Sequence, residues 1–89
     1  MKAVITVVGM DKVGIIAKVS NLLAEENINI LDITQTIMSD LFTMIMYTDI
    51  SKMQGEFTVV ADKLEALGKE MGVQIAITHE EIYKSMHRI

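Results

Sequence analysis

Two short segments hold the residue types whose spacing could do chemistry: Gly9-Met10-Asp11-Lys12-Val13-Gly14-Ile15, and Asn27-Ile28-Asn29-Ile30-Leu31-Asp32-Ile33. Asp11 is of a type that caps helix N-termini, which puts Gly14 about three positions on, inside the first helical turn. Glycine there costs about 1 kcal/mol relative to alanine, so something must demand the missing side chain. A ligand at the helix start would do so, since the free N–H groups and the positive end of the helix dipole suit a carboxylate. Close packing of the helix on the next strand would do so equally well, and Asp11 as a plain cap requires no ligand at all.

Catalytic chemistry finds little else to hold. His79 and His87 straddle a strand–helix junction and form no metal pair; His79 with Glu80 and Glu81 reads as a solvated strand end. Ser20, Ser39, Ser51 and Ser85 lie in no nucleophile-elbow pattern, and Gly9 with Gly14 completes no phosphate-binding loop. The absence of cysteine removes disulfides, thiol nucleophiles and thiolate metal sites together. Eight Lys and Arg against 12 Asp and Glu give a net charge of −4, and the basic residues are scattered. That pattern lacks the footprint of a nucleic-acid or anionic-membrane binder. No apolar run approaches the ~20 residues of a membrane helix, and no signal-peptide pattern opens the chain, so the expectation is a cytoplasmic protein without cofactor or metal. Eight methionines point to an adaptable core or contact surface.

The elements that must position these segments are legible from periodicity. Lys2 to Gly9 is a β-branched run stopped by glycine, a buried strand. From Val13 to Asn27, Ile16, Val19, Leu22 and Leu23 recur at helical spacing, and Asn27 suits the left-handed residue that ends a helix. Ile28–Ser39 and Leu41–Ile50 read as strands joined in a hairpin. Phe57, Val60, Ala61, Leu64, Leu67 and Met71 mark a helix face closed by Gly72, and Val73–Thr78 alternates as a last strand. Residues 80–89 read as a short helix striped by Ile82, Met86 and Ile89. At 89 residues this is one domain, with an expected core of 1–79 and a helical extension of 80–89.

The order strand–helix–strand–strand–helix–strand predicts an α+β ferredoxin-like sandwich, a four-stranded antiparallel sheet with two helices on one face. The hairpin is apolar in both registers: Leu31, Ile33 and Ile37 against Ile30 and Met38, then Phe42, Met44 and Met46 against Leu41, Ile45 and Tyr47. A strand buried on both sides needs two covers, so the tail helix is expected as one and a second copy, in a homodimer, as the other.

On this topology the two segments together resemble the ACT domain, and most of all free-standing bacterial ACT proteins, similar to the ACT domains of glycine-cleavage regulators. The resemblance covers all but the last ten residues. It implies a regulatory, non-catalytic domain that binds an amino acid or related metabolite in clefts at a dimer interface. The implied ligand contacts are Asp11, Lys12, Val13, Gly14 and Ile15 in the loop and Asn29 and Ile30 at the start of strand two. Asp11 matches a position that contacts a ligand amino group, and Asn29 matches an asparagine facing the cleft, whose amide both donates and accepts. Two positions depart from the pattern: Asn27 stands where glycine is usual, and Val13 where proline is common.

Other users of this topology lack their equipment here. An acylphosphatase needs an arginine near the first loop, and the one arginine is Arg88; metal chaperones need cysteines. RNA-recognition domains need exposed sheet aromatics, and the aromatics number four, Phe42, Tyr47, Phe57 and Tyr83. The alternative to a metabolite sensor is a protein-interaction module with a vestigial ligand site.

Overall fold

The computed structural model describes residues 1–10 and 13–86. Seven elements follow in order: β1 (Lys2–Met10), α1 (Ile15–Glu25), β2 (Asn29–Met38), β3 (Leu41–Asp49), α2 (Phe57–Met71), β4 (Val73–His79) and α3 (Glu80–Met86). The strands form one antiparallel sheet in the order β2-β3-β1-β4, the predicted ferredoxin-like arrangement.

Alternation decides which side is dry. Ala3, Ile5 and Val7 of β1, Phe42, Met44 and Met46 of β3, and Val73, Ile75 and Ile77 of β4 point one way. They bury against Ile15, Val19 and Leu23 of α1 and Val60 and Leu64 of α2. Those helix residues recur three and four apart, so each helix presents one apolar stripe. The helices stop short of β2: Ile33 and Ile37 share the helix-side face with buried Met46 and Phe42, yet both are exposed.

Three expectations need correction. Gly9 does not end β1; it sits inside the strand, paired with Phe42 and Val73. Its missing side chain is the space Val73 fills, since a Cβ would lie 2.6 Å from Val73 Cγ1. Helix α1 begins at Ile15, not after Asp11, with Gly14 as its cap residue. Its buried stripe therefore runs through Ile15, with Ile16 exposed.

Helix α1 is closed at Asn27, as its sequence predicts. Asn27 holds φ at +60°, which explains how it replaces the usual glycine. Its N–H bonds to Ala24 O at 3.1 Å, and that of Ile28 to Leu23 O at 2.9 Å, a Schellman closure in which buried Ile28 meets Leu23.

Helix α3 folds against β1 and β4. Tyr47, on the sheet face away from α1 and α2, donates to Glu80 at 2.9 Å, and Lys84 pairs with Glu80 at 2.9 Å. The tail helix does not lie over the apolar hairpin as the sequence predicts. It sits over β1 and β4 and meets the hairpin at Tyr47, because the chain leaves β4 at the opposite edge of the sheet from β2; Ile82 and Met86 remain exposed. His87–Ile89, including Arg88, lie outside the described residues.

Candidate functional site

The β1–α1 junction supplies the first half of the candidate site. Val13 is fully exposed, and Gly14 has φ 88° and ψ 2°, a conformation that costs a side-chain-bearing residue about 1–2 kcal/mol. A Cβ at Gly14 would meet nothing within 4 Å, so close packing is not what requires glycine here; the backbone angle is. The helix starts with Lys18 N donating to Gly14 O at 3.0 Å. No side chain among the described residues caps it, and its first turn holds no acidic residue. Among the described residues the leading N–H groups of α1 have no side-chain cap, and such groups suit an anion. Ile15 contributes only backbone, because its side chain is buried in the core. Asp11 and Lys12 lie outside the described residues.

The second half is at the start of β2. Asn29 is exposed and Ile30 is half-buried against the core. Asn29 lines a cavity of about 470 Å³ together with Asn27, Asp49, Ser51 and Lys52. Asn27 braces the cavity by donating from Nδ2 to Lys52 O at 3.0 Å. Asp49 is a polar group that the sequence reading missed. Its Oδ1 accepts from Ser51 N at 2.9 Å and Ser51 Oγ at 2.7 Å, and its Oδ2 lies 3.6 Å from Lys2 Nζ. Bonds from the Ser51 hydroxyl and backbone N–H, with the Lys2 charge adding to them, hold its carboxyl down at about 2. The signal was present in the sequence, since aspartate two residues before serine at a strand end is an Asx-turn pattern.

Within one chain the two halves do not meet. Asn29 partners Asp49, which partners Lys2 at the beginning of β1, whereas Met10 partners Leu41 beside Met38 at the far end. A strand of nine residues spans roughly 25–30 Å, so the sheet's length separates Asn29 from the Gly14 loop.

Elsewhere, His79 is not a solvated strand end. Its ring stacks on Phe57 with centroids 4.0 Å apart. No group of three or more His, Asp or Glu placed to hold a metal occurs among the described residues.

With this geometry established, comparison with known proteins is informative. The family model for the ACT domain matches residues 2–78. A UPF0237 protein of Methanococcus maripaludis is 58% identical over 86 residues, 97% of this chain and 96% of that one. The solved structure of an ACT domain protein from Streptococcus pneumoniae superposes with a TM-score of 0.81 at 43% identity, covering 94% of each chain. A structure named for a glycine cleavage system transcriptional repressor gives a TM-score of 0.71 at 28% identity over 86% of this chain and 44% of that one.

Proposed function

The chain belongs to the ACT domain family, and we propose that it works there as a non-catalytic, cytoplasmic regulatory domain that binds an amino acid or a related small metabolite between two copies of itself. The observation that carries this reading is the helix start at Gly14, where the chain holds φ at 88° and the leading N–H groups have no side-chain cap among the described residues. Those groups receive the ligand's carboxylate, with Val13, Gly14 and the backbone of Ile15 around it, and Asp11 and Lys12 completing the loop. Asn29 and Ile30 form the opposite wall. A relative named for a transcriptional repressor supports a regulatory role.

The two walls lie at opposite ends of the sheet, so the reading requires a second copy. Strand β2 supplies the means. It is a ten-residue edge strand, exposed along nearly its whole length. Exposed Asp32 and a register shift between Ile30 and Asp32 sit near its start, and from Ile33 to Met38 it carries no charge or proline to blunt it. A two-fold axis through its middle, near Thr34, sets the start of one copy's β2 against the end of the other's. Each Asn29 then comes to the end of the sheet from which the other copy's Gly14 loop emerges, giving two clefts per dimer. A ligand that binds only the paired state shifts the assembly equilibrium toward it.

The test is thermal unfolding of the full chain with each amino acid in millimolar excess. A ligand at ~100 times its dissociation constant adds ~2.7 kcal/mol, and each kcal/mol raises Tm by about 4–8 °C in a domain of this size. A shift with one amino acid that disappears in Gly14→Ala supports the reading, and a flat panel sinks it.

The interaction-module reading is favoured by a different observation. On the sheet face away from α1 and α2, three registered rows contain no charged residue: Thr6, Ile45, Thr34 and Ala76; Val8, Thr43, Thr36 and Gln74; Met10, Leu41 and Met38. Phe42 does not belong to that surface, since it is buried on the other face. Loss of partner binding in Met10→Glu, with no ligand response in the unaltered chain, would decide for this reading.

A further inference from the structure

We propose that the ligand's side chain is apolar and lies along Ile37, so that the site selects aliphatic amino acids over their hydroxylated counterparts. This deepens the reading above and rests on it.

Ile37 shares both the face and the end of the sheet with the helix start. It is the cross-strand partner of Phe42, and Phe42 is that of Gly9, next to the last residue of β1 and the loop to Gly14. Phe42 is buried beneath the helices, so Ile37 points to the same side, yet it is 59% exposed. Helix α1 carries the chain from β1 to β2, and β3 lies between those strands, so α1 crosses over β3 and leaves β2 bare. Its two flanks differ. Leu22 and Glu25 face Ala66, Leu67 and Glu70 of α2. Helical spacing puts Ile16 and Ser20 on the other side of the buried Ile15–Val19–Leu23 stripe, toward β2, and Ile16 is exposed there.

Pairing two copies along β2 does not fill this space. Their α1 helices, each over its own β3, stand three strand spacings apart, about 14 Å, whereas packed helices lie about 8–10 Å apart. A trough roughly 4–6 Å wide is left over the two β2 strands, too narrow for another helix and wide enough for one hydrocarbon chain. Ile33, Gln35 and Ile37 form its floor, since their partners Met46, Met44 and Phe42 are buried on that side. Asp32 partners Tyr47 and so turns to the opposite face, and no charged residue occurs from Ile33 to Met38. The two-fold near Thr34 sets Ile37 opposite the second copy's Leu31, which is also exposed. Ile37 then lies between the helix start and that copy's Asn29. With its carboxylate on the leading N–H groups of α1, an amino acid has this uncharged floor, and no polar partner, for its side chain.

Valine against threonine is the informative pair, since the two differ by a methyl and a hydroxyl of similar size. Each is titrated against the full chain by calorimetry, with alanine alongside to report on the carboxylate and amine alone. In the unaltered chain valine is expected to bind about tenfold to a hundredfold tighter than threonine. Lengthening alanine to 2-aminobutyrate should tighten binding by about fourfold. Ile37→Thr puts a hydroxyl in the floor at an exposed strand position, where the fold tolerates it. The valine preference then disappears while alanine binds as before. Ile82→Thr, a similarly exposed substitution on α3, leaves the preference unchanged. Threonine binding the unaltered chain as tightly as valine overturns the apolar class and leaves the site standing. A valine preference that survives Ile37→Thr overturns the role of Ile37. Loss of every response in Ile37→Thr, alanine's included, makes Ile37 a residue of assembly and overturns it too. No response of the unaltered chain to any amino acid overturns the site itself, and the side-chain class with it.

Discussion

An alanine at position 14 would meet no atom within 4 Å, yet it would have to hold φ at +88°; an alanine at position 9 would hold an ordinary strand angle but collide with Val73 Cγ1 at 2.6 Å. The two glycines thus answer to different physics, and the difference is measurable. Gly14→Ala costs about 1–2 kcal/mol from backbone strain, and no trimming of a neighbour recovers it. Gly9→Ala costs about 1–3 kcal/mol from overpacking, and Val73→Ala in the same chain recovers part of it. Chemical denaturation of the single and double variants gives a favourable coupling for the 9/73 pair, and additive losses there would refute the steric account. Asp49 adds a pH signature. Its native value, about 2, lies below the ordinary 3.8. Its contribution to stability is therefore fully present above about pH 4 and is lost as pH falls toward 2. Stability curves of the unaltered chain and Asp49→Asn should lie apart at neutral pH and converge in that window.

Elements were the scale most legible in the sequence, because their signals are local. The Phe57-to-Met71 stripe, the left-handed Asn27 and Gly72, and the alternation of β4 each depend on neighbours a few residues away, and the structure has all of them. What failed depended on distant partners. Periodicity could not choose between adjacent Ile15 and Ile16, since the phase of α1 follows from where Gly14 bends the chain. Gly9 looked like a stop because Val73, which explains it, lies 64 positions further along. The candidate site is half legible: the loop and the strand start can be named from sequence, but Asp49 is beside Asn29 only through the β2–β3 register. Helix α3 shows the same dependence, since it lies against β1 and β4 and its Glu80 accepts from Tyr47, a residue of β3. The phenol's value is raised chiefly by its bond to Glu80, and the Glu80 carboxyl is lowered chiefly by Lys84 and next by Tyr47. A lowered acid stabilises above the ordinary range of Glu and loses that as pH falls; a raised phenol stabilises below pH 10 and loses that as pH rises. Docking of α3 should therefore hold across neutral pH and weaken at both extremes. Tyr47→Phe keeps the ring and removes the donor. It should speed amide exchange over residues 80–86 by about two- to tenfold and leave α2 unchanged; unaltered exchange in α3 would mean that other contacts hold it.

At the scale of the whole molecule, a chain with its two candidate walls at opposite ends of one sheet cannot close a cleft alone. The open edge of β2 is where a second copy can bring them together. The proposed two-fold that unites the walls places a residue near the axis opposite its own counterpart. Thr34 is that residue; it is exposed, and its partner in the sheet is Ile45, so a charge there should change the stability of the single chain by no more than about 0.5 kcal/mol. Across the axis the effect is different, because like charges directly opposite in neighbouring strands repel. Thr34→Lys alone and Thr34→Glu alone should each give the mass of one chain by light scattering, with no amino-acid response in thermal unfolding. Mixed in equal amounts, they place lysine opposite glutamate, and the mass of two chains should return together with the ligand response. Recovery of mass without response would separate assembly from sensing and move the site away from the β2 seam. Masses unchanged in either variant alone would move the seam itself, leaving the uncharged sheet face as the surface on which two copies meet.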